Sequence, residues 1–156
     1  MLTRIVLACL VLTGCSPSEY IGLTVFKMDT SCNLCIVEGE INGKKTYFLV
    51  DTGAGLTTFD TNQSKYFGFS SVETDQEIGS FSNERSKIQE AVGIRSIKIN
   101  GLEVTGGINY ATNMYNLVNH VQQCSNKTIS GIIGVPIIKR FNLVIDVPNG
   151  RLLKVN

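Results

Sequence analysis

Hydrophobic and polar positions along this chain change over in short blocks, with no long run of helical spacing. Residues 36–41, Ile-Val-Glu-Gly-Glu-Ile, have the mixed pattern of a half-buried strand. Asn42-Gly43 follows as a hairpin turn signal, and residues 46–50 form the return strand. A short strand is expected over 56–59 and a single helical turn over 60–65, leading into Tyr66-Phe67-Gly68-Phe69. From 72 to 92 the chain is polar, with Gly79-Ser80-Phe81-Ser82-Asn83 at its centre. Few apolar anchors tie it to a core, which predicts a projecting, mobile hairpin. Strand character returns at 94–99, turns at Asn100-Gly101 and continues through 102–110, whereas 112–127 is polar and is expected to be loop. Ile129-Ser130-Gly131-Ile132-Ile133-Gly134 is followed by Pro136, which suits the first turn of a short helix ending near Lys139 and Arg140. Residues 142–146, the turn Pro148-Asn149-Gly150 and residues 151–155 make a closing hairpin. The pattern is that of an all-β protein with one short C-terminal helix.

Composition narrows the picture. A chain of 156 residues suits one domain with a real core. With 43% hydrophobic and 17% charged residues, it is ordered rather than disordered. The net charge of +1, from 14 basic and 13 acidic residues, carries no footprint for nucleic acid.

The N-terminus is organised differently. Arg4 precedes the apolar run 5–12, which is too short to span a bilayer, and the run ends in Leu12-Thr13-Gly14-Cys15. This segment resembles the lipobox of bacterial lipoproteins. The resemblance implies a signal peptide over 1–14, acylation of Cys15, and a lipid anchor and tether over 15–30 that lead to a domain at 31–156. Ser16, where Asp would favour inner-membrane retention, points to the outer membrane facing the periplasm. An ordinary secretory signal with an incidental cysteine is the blander alternative.

An oxidising compartment permits one disulfide among Cys32, Cys35 and Cys124. The pairing stays open: within Cys32–Cys35, or from either to Cys124. Cys32-Asn33-Leu34-Cys35 has redox spacing, but no βαβ pattern accompanies it. A zinc site lacks a fourth ligand, because His120 is the sole histidine, and no metal or cofactor is expected. His120 lies in a polar stretch and is expected to be exposed and inert. There is no Gly-x-Ser-x-Gly elbow, His-Glu-x-x-His helix or phosphate-binding glycine loop.

The chemistry concentrates at Phe48-Leu49-Val50-Asp51-Thr52-Gly53-Ala54-Gly55. Three apolar strand residues carry a carboxylate inward, and Gly53 is expected to allow a backbone path that a side chain would block. This run resembles the signature of the retropepsin-like aspartic proteases. The likeness extends over about 36–156, because Gly131-Ile132-Ile133-Gly134 matches the family's second half-motif and residues 141–146 match its C-terminal segment, where the acid (here Asp146) is structural. The resemblance implies a closed β-barrel lobe with Asp51, Thr52 and Gly53 at the catalytic loop. Gly79, Ser80 and Phe81 would form the substrate-covering flap. Gly55 departs from the pattern, since Ser, Thr or Asp is common there.

Hydrolysis of a peptide by aspartates needs two carboxyls around one water, one ionised and one protonated. Only one Asp-Thr-Gly is present: Asp29-Thr30 is followed by Ser31, and Asp60-Thr61 by Asn62. The second carboxyl must come from another copy, which predicts a two-fold homodimer acting on peptide or protein substrates. The competing expectation is a non-catalytic envelope lipoprotein that uses the same fold for binding or assembly.

Overall fold

The structure, a computed structural model, describes residues 22–79 and 85–156. The expected signal peptide, Cys15 and the first part of the expected tether lie outside these described residues, as do Ser80 and Phe81.

The described elements are, in order, β1 (Leu23–Lys27), β2 (Ile36–Ile41), β3 (Lys44–Val50), β4 (Thr58–Asp60), α1 (Ser64–Phe67), β5 (Ser70–Gly79), β6 (Arg85–Val92), β7 (Ile97–Ile99), β8 (Leu102–Glu103), β9 (Tyr110–Thr112), α2 (Tyr115–Ser125), β10 (Ile129–Ile133), α3 (Val135–Arg140), β11 (Leu143–Asp146) and β12 (Arg151–Val155). One sheet runs β5-β6-β9-β4-β10-β3-β2-β7-β8, and a second runs β1-β12-β11. The all-β expectation holds. The hairpins at Asn42-Gly43 and Asn100-Gly101 form as expected, with both residues of each pair at positive φ, as a tight two-residue turn requires.

Three expectations are corrected. The larger sheet is open rather than a closed barrel, because β5 and β8 are its two ends and do not pair. Its core is covered instead by the smaller sheet: Leu143 and Leu152 join Val37, Ile41, Phe48 and Phe59 in one buried cluster. The supposed tether contains a true strand, since β1 pairs antiparallel with β12 from Leu23↔Val155 to Lys27↔Arg151. Residues 112–127 are not loop but contain helix α2. With the buried N-cap residue Met114, its apolar residues Leu117, Val118 and Val121 have i, i+3, i+4, i+7 spacing, and these three pack with Ile36, Leu49 and Ile129. Asn113 Oδ1 accepts the Tyr115 N–H at its start, and Asn126 ends it in the left-handed conformation.

Among the described residues, no helix is long and apolar enough to cross a membrane. Phe48 and Phe59 are fully buried and meet edge-on, with ring centroids 6.1 Å apart. Each contributes about 1.5–3 kcal/mol by leaving water. Together they fix β3 and β4, the strands on either side of the loop that carries Asp51.

Candidate active site

β3 ends in Phe48, Leu49 and Val50, all buried, and Asp51 emerges half-buried beyond them. Its backbone is pinned on both sides. The Asp51 N–H donates to Ile133 O at 3.0 Å, and the Ala54 N–H donates back to Asp51 O at 3.3 Å. The carboxylate Oδ1 accepts the Gly53 N–H at 2.7 Å, so the loop itself orients the acid. Thr52 and Gly53 are exposed. Gly53 does not adopt a left-handed conformation; a Cβ there would lie 3.2 Å from Asp51 Oδ1 and crowd the carboxylate.

The loop is clasped by β10, which inserts between β3 and β4. It runs parallel to β3 (Ile133↔Val50) and antiparallel to β4 (Gly131↔Phe59). Two glycines permit this approach. A Cβ on Gly131 would sit 2.6 Å from Thr58 O, and one on Gly134 would sit 2.3 Å from Leu56 O and 2.6 Å from Ala54 O. The Val135 N–H donates to Ala54 O at 2.9 Å, and the Gly134 N–H donates to Thr57 Oγ1 at 3.1 Å. Thr57 was not singled out from the sequence. Its only signal was two adjacent threonines, Thr57 and Thr58, at the start of a strand otherwise expected to be apolar; both prove buried. Gly55 has open space around it.

Beside Asp51 lies a concavity of about 470 Å³, lined by Leu34, Cys35, Leu49, Thr52, Ile145 and Val147 among others, with Asp51 its only acid. A larger concavity of about 700 Å³ lies on the face of β2 and β3 that carries Glu38, Glu40, Lys45 and Tyr47. It does not include Asp51, and its polar groups are partly tied together, as in the Thr46–Ser130–Gln63 chain of hydrogen bonds. The smaller concavity is therefore the chemically relevant one.

The cysteine pairing is resolved in favour of Cys32–Cys124, which joins the turn before β2 to α2 across a sequence separation of 92. The Cys32–Cys35 pairing considered from the sequence does not form. Cys35 is a free thiol in the wall of the Asp51 concavity. Burial raises its pKa, and the nearby Asp51 charge adds to the rise.

Asp60 and Asp146 are tied into hydrogen bonds away from this concavity. Asp60 is buried and accepts hydrogen bonds from Asn62, Gln63 and the Met114 N–H, linking the end of β4 to the start of α2. Asp146 accepts from Asn149 and Arg151, which hold its carboxyl below the usual range. His120 is exposed on α2. The expected hairpin is present, as β5 and β6 pair antiparallel from Ser70↔Val92 to Gly79↔Arg85. Gly79 ends β5 at its tip.

A family model described as aspartyl protease matches residues 37–137, a span that contains the Asp51 loop, Gly131 and Gly134. The chain belongs to the aspartyl protease family. The crystal structure of a retropepsin-like aspartic protease from Rickettsia conorii is similar, with a TM-score of 0.56 and 16% sequence identity over 85% of this chain and 89% of that chain. At that identity the likeness establishes a retropepsin-like fold. Comparison with curated proteins finds no match.

Proposed function

We propose that this protein is a homodimeric aspartic endopeptidase in which Asp51 from two copies activates one water. The observation that carries this reading is the presentation of a single oriented carboxylate. Asp51 is held by Gly53 and Ile133, is the only acid of its concavity, and is flanked by the exposed Thr52 and Gly53. A second copy brought against this exposed loop supplies the partner carboxyl. Two carboxyls at short range share one proton, because both cannot be ionised. The ionised one takes a proton from the water, while the protonated one donates to the peptide carbonyl oxygen; the product acid and amine leave with the proton count restored. Thr52 lies where it can steady the paired loops. The β5–β6 hairpin serves as a cover that excludes water from an extended peptide.

The proposal includes placement. The run ending in Leu12-Thr13-Gly14-Cys15 supports acylation of Cys15 and anchoring in the bacterial envelope, at the outer membrane facing the periplasm. A disulfide between Cys32 and Cys124 agrees with an oxidising compartment.

The test compares the parent protein with Asp51→Asn on a peptide library between about pH 4 and 7, since a pair that shares one proton works between its two apparent pKa values. Cleavage by the parent, blocked by a statine-type inhibitor and lost in the variant, is expected, together with sedimentation as a dimer. Equal inactivity of parent and variant would overturn the enzymatic reading and leave a binding role for the fold.

A further inference from the structure

The smaller sheet has one face packed on the core and one partly exposed face. Phe26, Leu152 and Ile145 align across β1, β12 and β11 on the inner side, packed against the core. The opposite side carries Leu23 beside Val155, and then Val25, Leu153 and Val144 in one row across the three strands. Val25 and Val144 are each 47% exposed and Val155 is 41% exposed, while Leu153, between the two valines, is buried at 8%, so the exposed apolar surface lies at the two outer strands and the end of β12. The next row is charged: Lys27, Arg151 and Asp146, with Arg151 and Asp146 paired at 2.9 Å.

We infer that this face lies on the phospholipid bilayer and holds the Asp51 cleft pointing away from it. The inference rests on the acylation of Cys15 proposed above. Seven residues separate Cys15 from Leu23. Fully extended, that connection reaches at most roughly 28 Å, so β1 cannot stray far from the anchored lipid. The first strand after the anchor is thus the edge of the apolar face.

Polarity within the sheet sets the orientation. Ile145, on the inner side of β11, lines the concavity of Asp51, whereas its neighbour Val144 is on the outer side. The cleft and the apolar rows therefore lie on opposite sides of one thin sheet. With the valines seated among the headgroups, Lys27 sits at the rim, where its ammonium reaches lipid phosphate. Both copies of a dimer can make this contact on one bilayer only if the two-fold axis runs along the membrane normal. That arrangement leaves the shared cleft open to substrates in the aqueous compartment.

The chain has no tryptophan, so a single introduced indole reports its own surroundings. The experiment reconstitutes the full acylated protein, carrying Val25→Trp or Val144→Trp, into phosphatidylethanolamine–phosphatidylglycerol vesicles with brominated acyl chains. Val72→Trp, on β5 and itself exposed, is the comparison. Two variants on the face keep the test standing if one unfolds, which circular dichroism checks. Both are expected to lose about half or more of their emission to bromine, as for side chains about 5–10 Å into the headgroup region, while Val72→Trp keeps its emission. Acylated, vesicle-bound protein with all three indoles equally unquenched would overturn the orientation while leaving the anchor intact. Emission at Val144→Trp that shifts with protein concentration but ignores bromine would show a contact between copies and would also overturn it. Absence of the acyl mass on Cys15 would remove the anchoring reading, and this inference with it.

Discussion

The N–H of Gly134 donates to Thr57 Oγ1 at 3.1 Å inside the core, joining positions 77 residues apart. The bond ties the loop that follows Asp51 to the strand that clasps it. Thr57→Val keeps the shape and removes the acceptor, leaving a buried N–H unpaired at a cost of about 1–3 kcal/mol. Chemical denaturation of Thr57→Val should show that loss and Thr57→Ser should recover most of it; equal stability of the parent and both variants would contradict the bond's role.

Two glycines of the same neighbourhood should behave oppositely. Gly134→Ala places a Cβ 2.3 Å from a backbone carbonyl that has no freedom to retreat, and Gly55→Ser enters open space. Thermal unfolding should find Gly134→Ala destabilised by about 3 kcal/mol or more, or too unstable to purify. Gly55→Ser should stay within about 0.5 kcal/mol of the parent.

The disulfide between Cys32 and Cys124 restrains a long loop of the unfolded chain. Replacing both cysteines with alanine should lower stability by about 2–5 kcal/mol, read from denaturation midpoints under oxidising conditions. Reductant should lower the parent to the level of the variant and leave the variant unchanged.

Cys35 offers a chemical report on Asp51. Burial chiefly, and the Asp51 charge in addition, raise the thiol pKa, so alkylation of the folded protein should be slow at neutral pH and quicken only in the alkaline range. Asp51→Asn removes the charge and should move the rate profile towards lower pH without abolishing the effect of burial. A profile identical to that of the parent would mean that the two groups do not sense each other.

Asp29 governs part of the acid limb of stability. The Lys127 ammonium, with Ser31 adding a hydrogen bond, holds its carboxyl at about 2 instead of the ordinary 3.8. The folded pKa is depressed, so the contribution is complete above about 3.8 and fades as pH falls through about 2. Both side chains are about a quarter exposed, and the pair contributes under about 1 kcal/mol. Lys127→Met should flatten the decline between these two pH values in acid denaturation; an unchanged slope would exclude the pair as its source.

Much of this architecture is legible in the chain because its signals are local. Asn42-Gly43 and Asn100-Gly101 specify their hairpins by turn chemistry alone, and residues 48–51 read directly as a strand delivering an acid. Gly131 and Gly134 could be recognised as a matching half-motif, but their physical reason, the carbonyls of Ala54, Leu56 and Thr58, is non-local. Helix α2 was hidden by its polar residues, though the spacing of Met114, Leu117, Val118 and Val121 was present in the sequence. Strand β1 was obscured because its partner, β12, lies at the far end of the chain. The choice of Cys124 over Cys35 required knowing that α2 packs against the turn carrying Cys32, which spacing cannot supply.

The pairing of β10 with β3 also fixes a moment in the life of the molecule. Asp51 is synthesised early, but Ile133, Gly134 and Val135, whose backbones give its loop form, come in the last quarter of the chain. A nascent or truncated polypeptide ending before residue 129 carries the acid without the clasp. The Asp51 loop thus takes its shape only once the backbone of residues 133–135 is in place, long after the acid itself has been made.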